Sequence, residues 1–169
     1  MSFQQQLKES LYYNPHFGIF VWRENRGSRA KAGAIAGSHN KSNGYVDIVF
    51  DKQKYSAHRL AFMYMDGAFP PNDVDHANGR RADNRWGNLR LCSRQQNLCN
   101  KKNQKNNKSG IKGVYWASGQ RKWCAQITDK GKRYSVGSFD HINDAEIAIN
   151  RKREALHGEF FNSGTHKKA

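Results

Sequence analysis

Asp75-His76-Ala77-Asn78-Gly79, then Asp83-Asn84-Arg85-Trp86-Gly87-Asn88-Leu89-Arg90, then Asn97, form the most informative stretch of the chain. The stretch sets a carboxylate beside an imidazole at the end of a strand. A loop held by Asn follows, and an amide on a helix completes the set. An imidazole near neutral pH can take a proton from an attacking water. A divalent cation on oxygen ligands offsets the charge that grows on a phosphate and its leaving oxygen. One Asp and one Asn leave most of a coordination shell to water and phosphate, which suits magnesium because it dehydrates reluctantly. Alone, an Asp-His pair is an ordinary surface hydrogen bond and Asn-Gly an ordinary turn. With the spaced Asn-Arg and Asn-Leu-Arg elements, the set points to phosphodiester hydrolysis.

Upstream of this stretch, Gly18–Trp22 and Gly44–Phe50 are rich in β-branched and aromatic residues and predict short strands. Lys54 to Met65 places Leu60, Ala61, Met63 and Tyr64 close to one helical face, and Pro70-Pro71 ends that segment. Residues Asn72 to Asn88 are too polar to be core, while Leu89-Arg90-Leu91 predicts a short strand. Ser93 with Gln96 makes a capping box that opens a helix through Asn97 and Cys99. From Asn100 to Ser109 the chain holds four Lys, four Asn and no apolar residue, so it cannot bury anything. That segment predicts a basic linker, its lysines suited to tracking phosphates. Beyond it, Ile111–Trp116, Lys122–Thr128 and Arg133–Phe139 are strand-length runs separated by Ser118-Gly119 and Lys130-Gly131. They predict a three-stranded antiparallel sheet. Asn143 with Glu146 opens a helix whose Ala145, Ala148, Ile149, Lys152 and Leu156 share one face, and Gly158 stops it.

Charge narrows the partner. Lys and Arg number 29 against 14 Asp and Glu, giving a net charge of +15 spread along the whole chain. Folding gains nothing from such an excess, and a polyanion is the usual reason for it. Nucleic acid is favoured over an anionic membrane surface, because no apolar run approaches the ~18 residues of a spanning helix. Three cysteines, Cys92, Cys99 and Cys124, are odd in number and lack C-x-x-C spacing. They argue against a disulfide framework and a cysteine zinc site. MSFQQQLKESLYYNP carries no export signal, so a reducing cytoplasm is expected, that of the host if a phage encodes the chain.

The string Asp75-His76-Ala77-Asn78-Gly79…Asn84-Arg85-Trp86-Gly87-Asn88-Leu89 resembles the HNH nucleases, specifically their homing-endonuclease branch. The resemblance implies a ββα-metal core over about residues 73–100. It makes His76 the general base, Asp75 a metal ligand and Asn88 the residue that orients the base. Asn97, 21 positions after His76, takes the place of the last ligand on the helix. Being a neutral ligand, it implies modest metal affinity, with the ion arriving together with DNA. His58, eighteen positions before His76, matches a recurrent element upstream of that motif and is read as structural or phosphate-facing.

Four further stretches look like the Apetala-type domain of plant ethylene-response factors. They are residues 109–116, 122–127, 137–140 and 156–160, in that order, and the likeness spans about residues 109–162. It implies a sheet laid in the DNA major groove, reading with Tyr115, Arg121, Trp123, Gln126, Lys132, Arg133 and Tyr134. In the plant domains Arg commonly follows the Gly-Val pair, where Tyr115 and Trp116 stand here, so the resemblance does not carry over a plant-like target sequence.

The expected architecture is therefore α+β. A β-rich N-terminal part and an HNH core occupy residues 1–100, a basic linker 101–108, and a sheet backed by one helix 109–169. The expected activity is sequence-targeted, homing-type cleavage of double-stranded DNA with Mg2+ or Mn2+, by a monomer or weak dimer. Neither a membrane nor a small-molecule substrate is expected. The alternative is a DNA-binding transcription regulator with an inactive HNH remnant.

Overall fold

In the computed structural model, residues 1–28, 30–99 and 107–160 are described, except for the side chains of residues 95, 98, 99 and 159. Most of the expected linker lies outside that set. The chain divides into two units, Met1–Ser93 and Arg94–Ala169, ahead of the boundary expected at residue 100. Helices and small antiparallel sheets make up both.

The first unit opens with helix α1 (Phe3–Ser10), which no apolar periodicity announces. A capping box builds it instead: the Gln5 backbone N–H donates to Ser2 Oγ, and the Ser2 N–H donates to Gln5 Oε1. Leu7 alone among its apolar residues is fully buried. Strands β1 (Leu11–Asn14), β2 (Ile19–Trp22) and β3 (Ile35–Ala36) form one meander. A second is made by β4 (Ser38–His39), β5 (Val46–Phe50) and β6 (Gln53–Ser56). Helix α2 (Ala57–Asp66) packs on both β5 and β6.

The helix expected from Lys54 begins three residues later. Asp51 and Lys52 both take positive φ, the backbone of a two-residue hairpin turn. That turn pairs Val49 with Lys54, Ile48 with Tyr55 and Asp47 with Ser56, so the sheet claims those residues first. Leu7, Leu11, Tyr13, Phe20, Ile48, Phe50 and Leu60 form the centre of the core. Each such side chain contributes about 1.5–3 kcal/mol on burial. A final hairpin, β7 (Asp73–His76) and β8 (Leu89–Cys92), pairs antiparallel and joins the core through Val74 and Leu89.

The second unit begins with α3 (Arg94–Cys99). Strands β9 (Val114–Ala117), β10 (Lys122–Asp129) and β11 (Lys132–Phe139) follow, with β10 central, and α4 (Ile142–His157) packs on the sheet. Ile111, Val114, Ala125, Ile127, Ala145 and Ile149 make its core. The three expected runs and the expected helix thus coincide with the strands and α4 to within a few residues.

Candidate active site

The hairpin β7–β8 carries the motif. Asp75 pairs across the strands with Arg90, and His76 with Leu89. Arg90 Nε donates to Asp75 Oδ2 at 2.8 Å, and its Nη2 sits 2.7 Å from the same oxygen. Both Asp75 and His76 are buried. A carboxylate this deep requires a countercharge, and the cross-strand partner supplies one.

His76 Nε2 lies 3.2 Å from Oδ1 of Asn84, itself fully buried. The Asn84 amide donates through Nδ2 to the Ala82 carbonyl at 3.3 Å. This loop is clamped by the first hairpin. The Tyr13 hydroxyl donates to the Asn84 carbonyl at 2.7 Å, and the Trp86 N–H donates to the Pro15 carbonyl at 2.9 Å. Burial raises the Tyr13 hydroxyl pKa, aided by Asp83, so the donor keeps its proton.

The bonds of Asn88 organise the loop that follows the ring. Its Oδ1 accepts from the Asn78 N–H at 3.0 Å, and its Nδ2 donates to the Asp83 carbonyl at 2.7 Å. Its backbone carbonyl accepts from Ala77 N–H. Asn88 therefore ties the start of the loop to its end. Asp83 completes the fold of the loop by accepting from Asn78 Nδ2 and from Arg85 Nε and Nη2. Those Arg85 bonds, ahead of the Asn78 bond, hold its carboxyl near 2. Pro15, His16, Asn78, Arg85, Gly87 and Asn88 line a recess of about 350 Å³.

Rings surround the imidazole. His58, on α2, stands edge-on to His76 at 5.2 Å between centroids. Tyr45 lies 4.9 Å from His58 and 5.8 Å from His76, with the Arg81 guanidinium 5.0 Å above the tyrosine. Burial lowers the His76 pKa from 6.5, against the opposing pull of the Asn84 bond and of Asp75 and Asp83. At neutral pH the ring is a free base, the form that accepts a proton.

His58 is pushed further down, to about 3, by burial first and by His76 second. Its Nδ1 is buried without a hydrogen-bond partner among the described residues. A neutral buried histidine has a pH cost. Between pH 6.5 and about 3 the unfolded chain binds a proton that the folded chain refuses, so stability falls as pH falls through that window. Urea unfolding at pH 7 and pH 5 should therefore show wild type losing about 2 kcal/mol more than His58→Phe. Equal losses in the two proteins would show that His58 is not held neutral.

Asn97, the expected second ligand, lies half-buried on α3 in the second unit. Among the described residues no group of three or more His, Cys, Asp and Glu is arranged to hold a metal. Among the described residues of the first unit, Asp75 is the buried carboxylate. That donor fits a hard ion which keeps most of its waters, and does not fit a structural zinc. Tyr45, His58 and Asn84 join the site without a ligand-like pattern to announce them. Asn84 stands inside the Asn-Arg element of the motif, and His58 in the recurrent element upstream of it.

On the second unit, the expected reading set divides between two faces of the sheet. Trp123 and Tyr134 pack on the core between sheet and α4, with Val136 and Phe139. Both lie on the side of the sheet that packs against α4, because successive strand residues alternate sides and Ala125 and Ile127 fix that side. Tyr115, Gln126 and Arg133 fall on the other side, Tyr115 opposite Cys124 and Arg133 opposite Thr128. Arg121 is exposed in the β9–β10 turn at positive φ, and Lys132 is exposed at the start of β11.

Residues 55–99 match the model of a family described as HNH endonuclease. Protein 3.8 of Escherichia phage T7 is 33% identical over 113 residues, which is 64% of this chain and 93% of the phage protein. An uncharacterised HNH endonuclease of Acanthamoeba polyphaga mimivirus is 28% identical over 120 residues, 70% of this chain. That alignment spans 61% of the mimivirus protein. No solved structure matches the chain.

Proposed function

We propose that the chain, whose residues 55–99 match the HNH endonuclease model, is a homing-type nuclease that cuts double-stranded DNA at a chosen site. One observation carries this reading: a buried, neutral imidazole, held by Asn84, at the end of the strand that the family model covers. His76 accepts a proton from water as that water attacks the phosphorus. Asn88 acts by holding the loop between Ala77 and Asp83 in shape. Asp75 would hold a divalent ion, Mg2+ or Mn2+, with Asn97 added by the family pattern. Such an ion, when bound, offsets charge on the scissile phosphate. The chain order β7, β8, α3 supports a ββα-metal core.

For the second unit we propose an Apetala-type DNA-binding module. Its support is a sheet with Tyr115, Gln126 and Arg133 on the face away from α4, flanked by Arg121 and Lys132. Arg pairs bidentately with guanine and Gln with adenine, while Lys holds phosphates. Replacing Gln126 and Arg133 together by Ala should weaken binding to the cognate site about 30-fold or more in a gel-shift titration, on ~1–3 kcal/mol per base contact. Binding to unrelated duplex should change far less, and should fall steeply with salt. An equal loss on both duplexes would place these residues on phosphates.

A single HNH site in a monomer cuts one strand at a time, so nicking is the expected product. Among the described helices none is long and apolar enough to cross a membrane. Relation to a phage protein supports work in the host cytoplasm. Cleavage-site mapping on a long genomic DNA tests the targeting: discrete sites are expected, and a uniform smear would refute it.

A further inference from the structure

The turn between β1 and β2 leaves an aromatic ring in solvent. Phe17 is 66% exposed, the most exposed of the described Phe, Tyr and Trp side chains. A single exposed apolar residue is common on protein surfaces and by itself says nothing. Phe17 differs because its backbone is fixed. Asn14 Oδ1 accepts from the N–H groups of His16 and Phe17, at 3.0 and 3.2 Å. The Asn14 carbonyl accepts from Gly18 N–H at 2.8 Å, which closes the turn. The His16 ring stands edge-on to the Phe17 ring, 5.1 Å between centroids. A hydrogen-bonded turn thus holds the ring out, where a loose loop would let it fold back.

The same turn is joined to the loop that follows His76. Trp86 N–H donates to the Pro15 carbonyl, and Gly18 meets the backbone of Asn84 and Arg85 so closely that no Cβ fits between them. Pro15 and His16 also line the recess that holds Asn78, Arg85 and Asn88. A phosphodiester brought to His76 lies beside a turn that presents an aromatic ring.

We infer that Phe17 is a wedge, its ring entering the bound duplex between two neighbouring base pairs beside the bond to be cut. The inference rests on the nuclease reading and adds to it how the substrate is deformed at the site. Phe is among the side chains that unstack a base step in this way and kink the helix. Unstacking opposes binding, and burial of the exposed ring offsets part of that cost. A ring fixed before binding loses little freedom on insertion, so the bonds from Asn14 assist the wedge. The net charge of +15 attracts the DNA backbone without choosing a point along it. Phe17 supplies that point, next to the catalytic loop.

Insertion unwinds DNA, and unwinding is read without knowing the target. Closed circular plasmid is bound by the full chain in EDTA, relaxed with a topoisomerase that needs no metal, and stripped of protein. Wild type should lower the linking number in proportion to bound protein. Phe17→Ala, compared at equal occupancy, should lose most of that change. Phe17→Leu keeps an apolar wedge and should retain most of it. In Mg2+, nicking by Phe17→Ala should fall about 10-fold or more, with duplex affinity held within a few-fold. Its urea midpoint should match wild type, since the side chain is exposed. Equal linking numbers for wild type and Phe17→Ala would overturn the wedge, whether or not nicking falls. Unwinding that depends on Phe17, in a protein that nicks in neither Mg2+ nor Mn2+, would support the wedge and count against the nuclease reading alone.

Discussion

His76→Ala should lower DNA nicking by about 10²–10⁴-fold, the range a positioned general base supplies. Duplex affinity should hold within a few-fold, because the imidazole is 3% exposed and so adds little to the surface that meets a backbone. The ring is selected for proton transfer by its setting rather than by its position in the motif. Burial outweighs the Asn84 bond and the two carboxylates, so the ring enters the reaction uncharged. Parallel plasmid-nicking and gel-shift titrations separate the two effects. A parallel loss of both would mean that His76 serves the fold or the binding surface instead.

Gly18→Ala should cost about 2–4 kcal/mol in urea unfolding of the full chain, combining backbone strain with a collision. Gly18 sits at φ +70°, where a side chain is disfavoured, and its Cβ would come 2.2 Å from the Arg85 nitrogen and 2.3 Å from the Asn84 carbonyl carbon. Neither atom can turn away, since both are backbone. The close approach lets the Asn14–Gly18 turn clamp the loop that holds Asn84, so nicking should fall along with stability. Gly33→Ala separates the causes: φ is +82° there, yet nothing lies within 4 Å of the added carbon. It should cost only the backbone part, about 1 kcal/mol. Equal losses at the two positions would remove the clamp from the account.

The sequence exposes what is local and hides what is not. Asp75 and His76 at a strand end, the β9–β11 runs and the α4 face all follow from periodicity within a few residues. Asn84 and His58 depend on partners brought in by folding, Tyr13 from 71 residues away and His76 from a different element. No spacing rule reaches those pairs. The early start expected for α2 shows a related limit, since Tyr55 suits a helix or a strand and the Asp51-Lys52 turn decides for the strand. Trp123 was legible in retrospect, for it shares strand parity with Ala125 and Ile127, both of them core residues. The register shifts between Ala125 and Gln126 because β11 carries one extra residue there, Val136, which packs inward. Asn88 is the subtler case: the motif marks it, and only the bonds to Asn78 and Asp83 reveal that it shapes the loop.

Whether a proton acceptor on β7 works with a hard cation on duplex DNA can be read on one agarose gel. Supercoiled plasmid incubated with the full chain should pass to the open circle in Mg2+ or Mn2+ and stay supercoiled when EDTA is added. Plasmid left supercoiled in both metals, by protein that still retards duplex in a gel shift, would contradict the nuclease account and leave a DNA-binding protein.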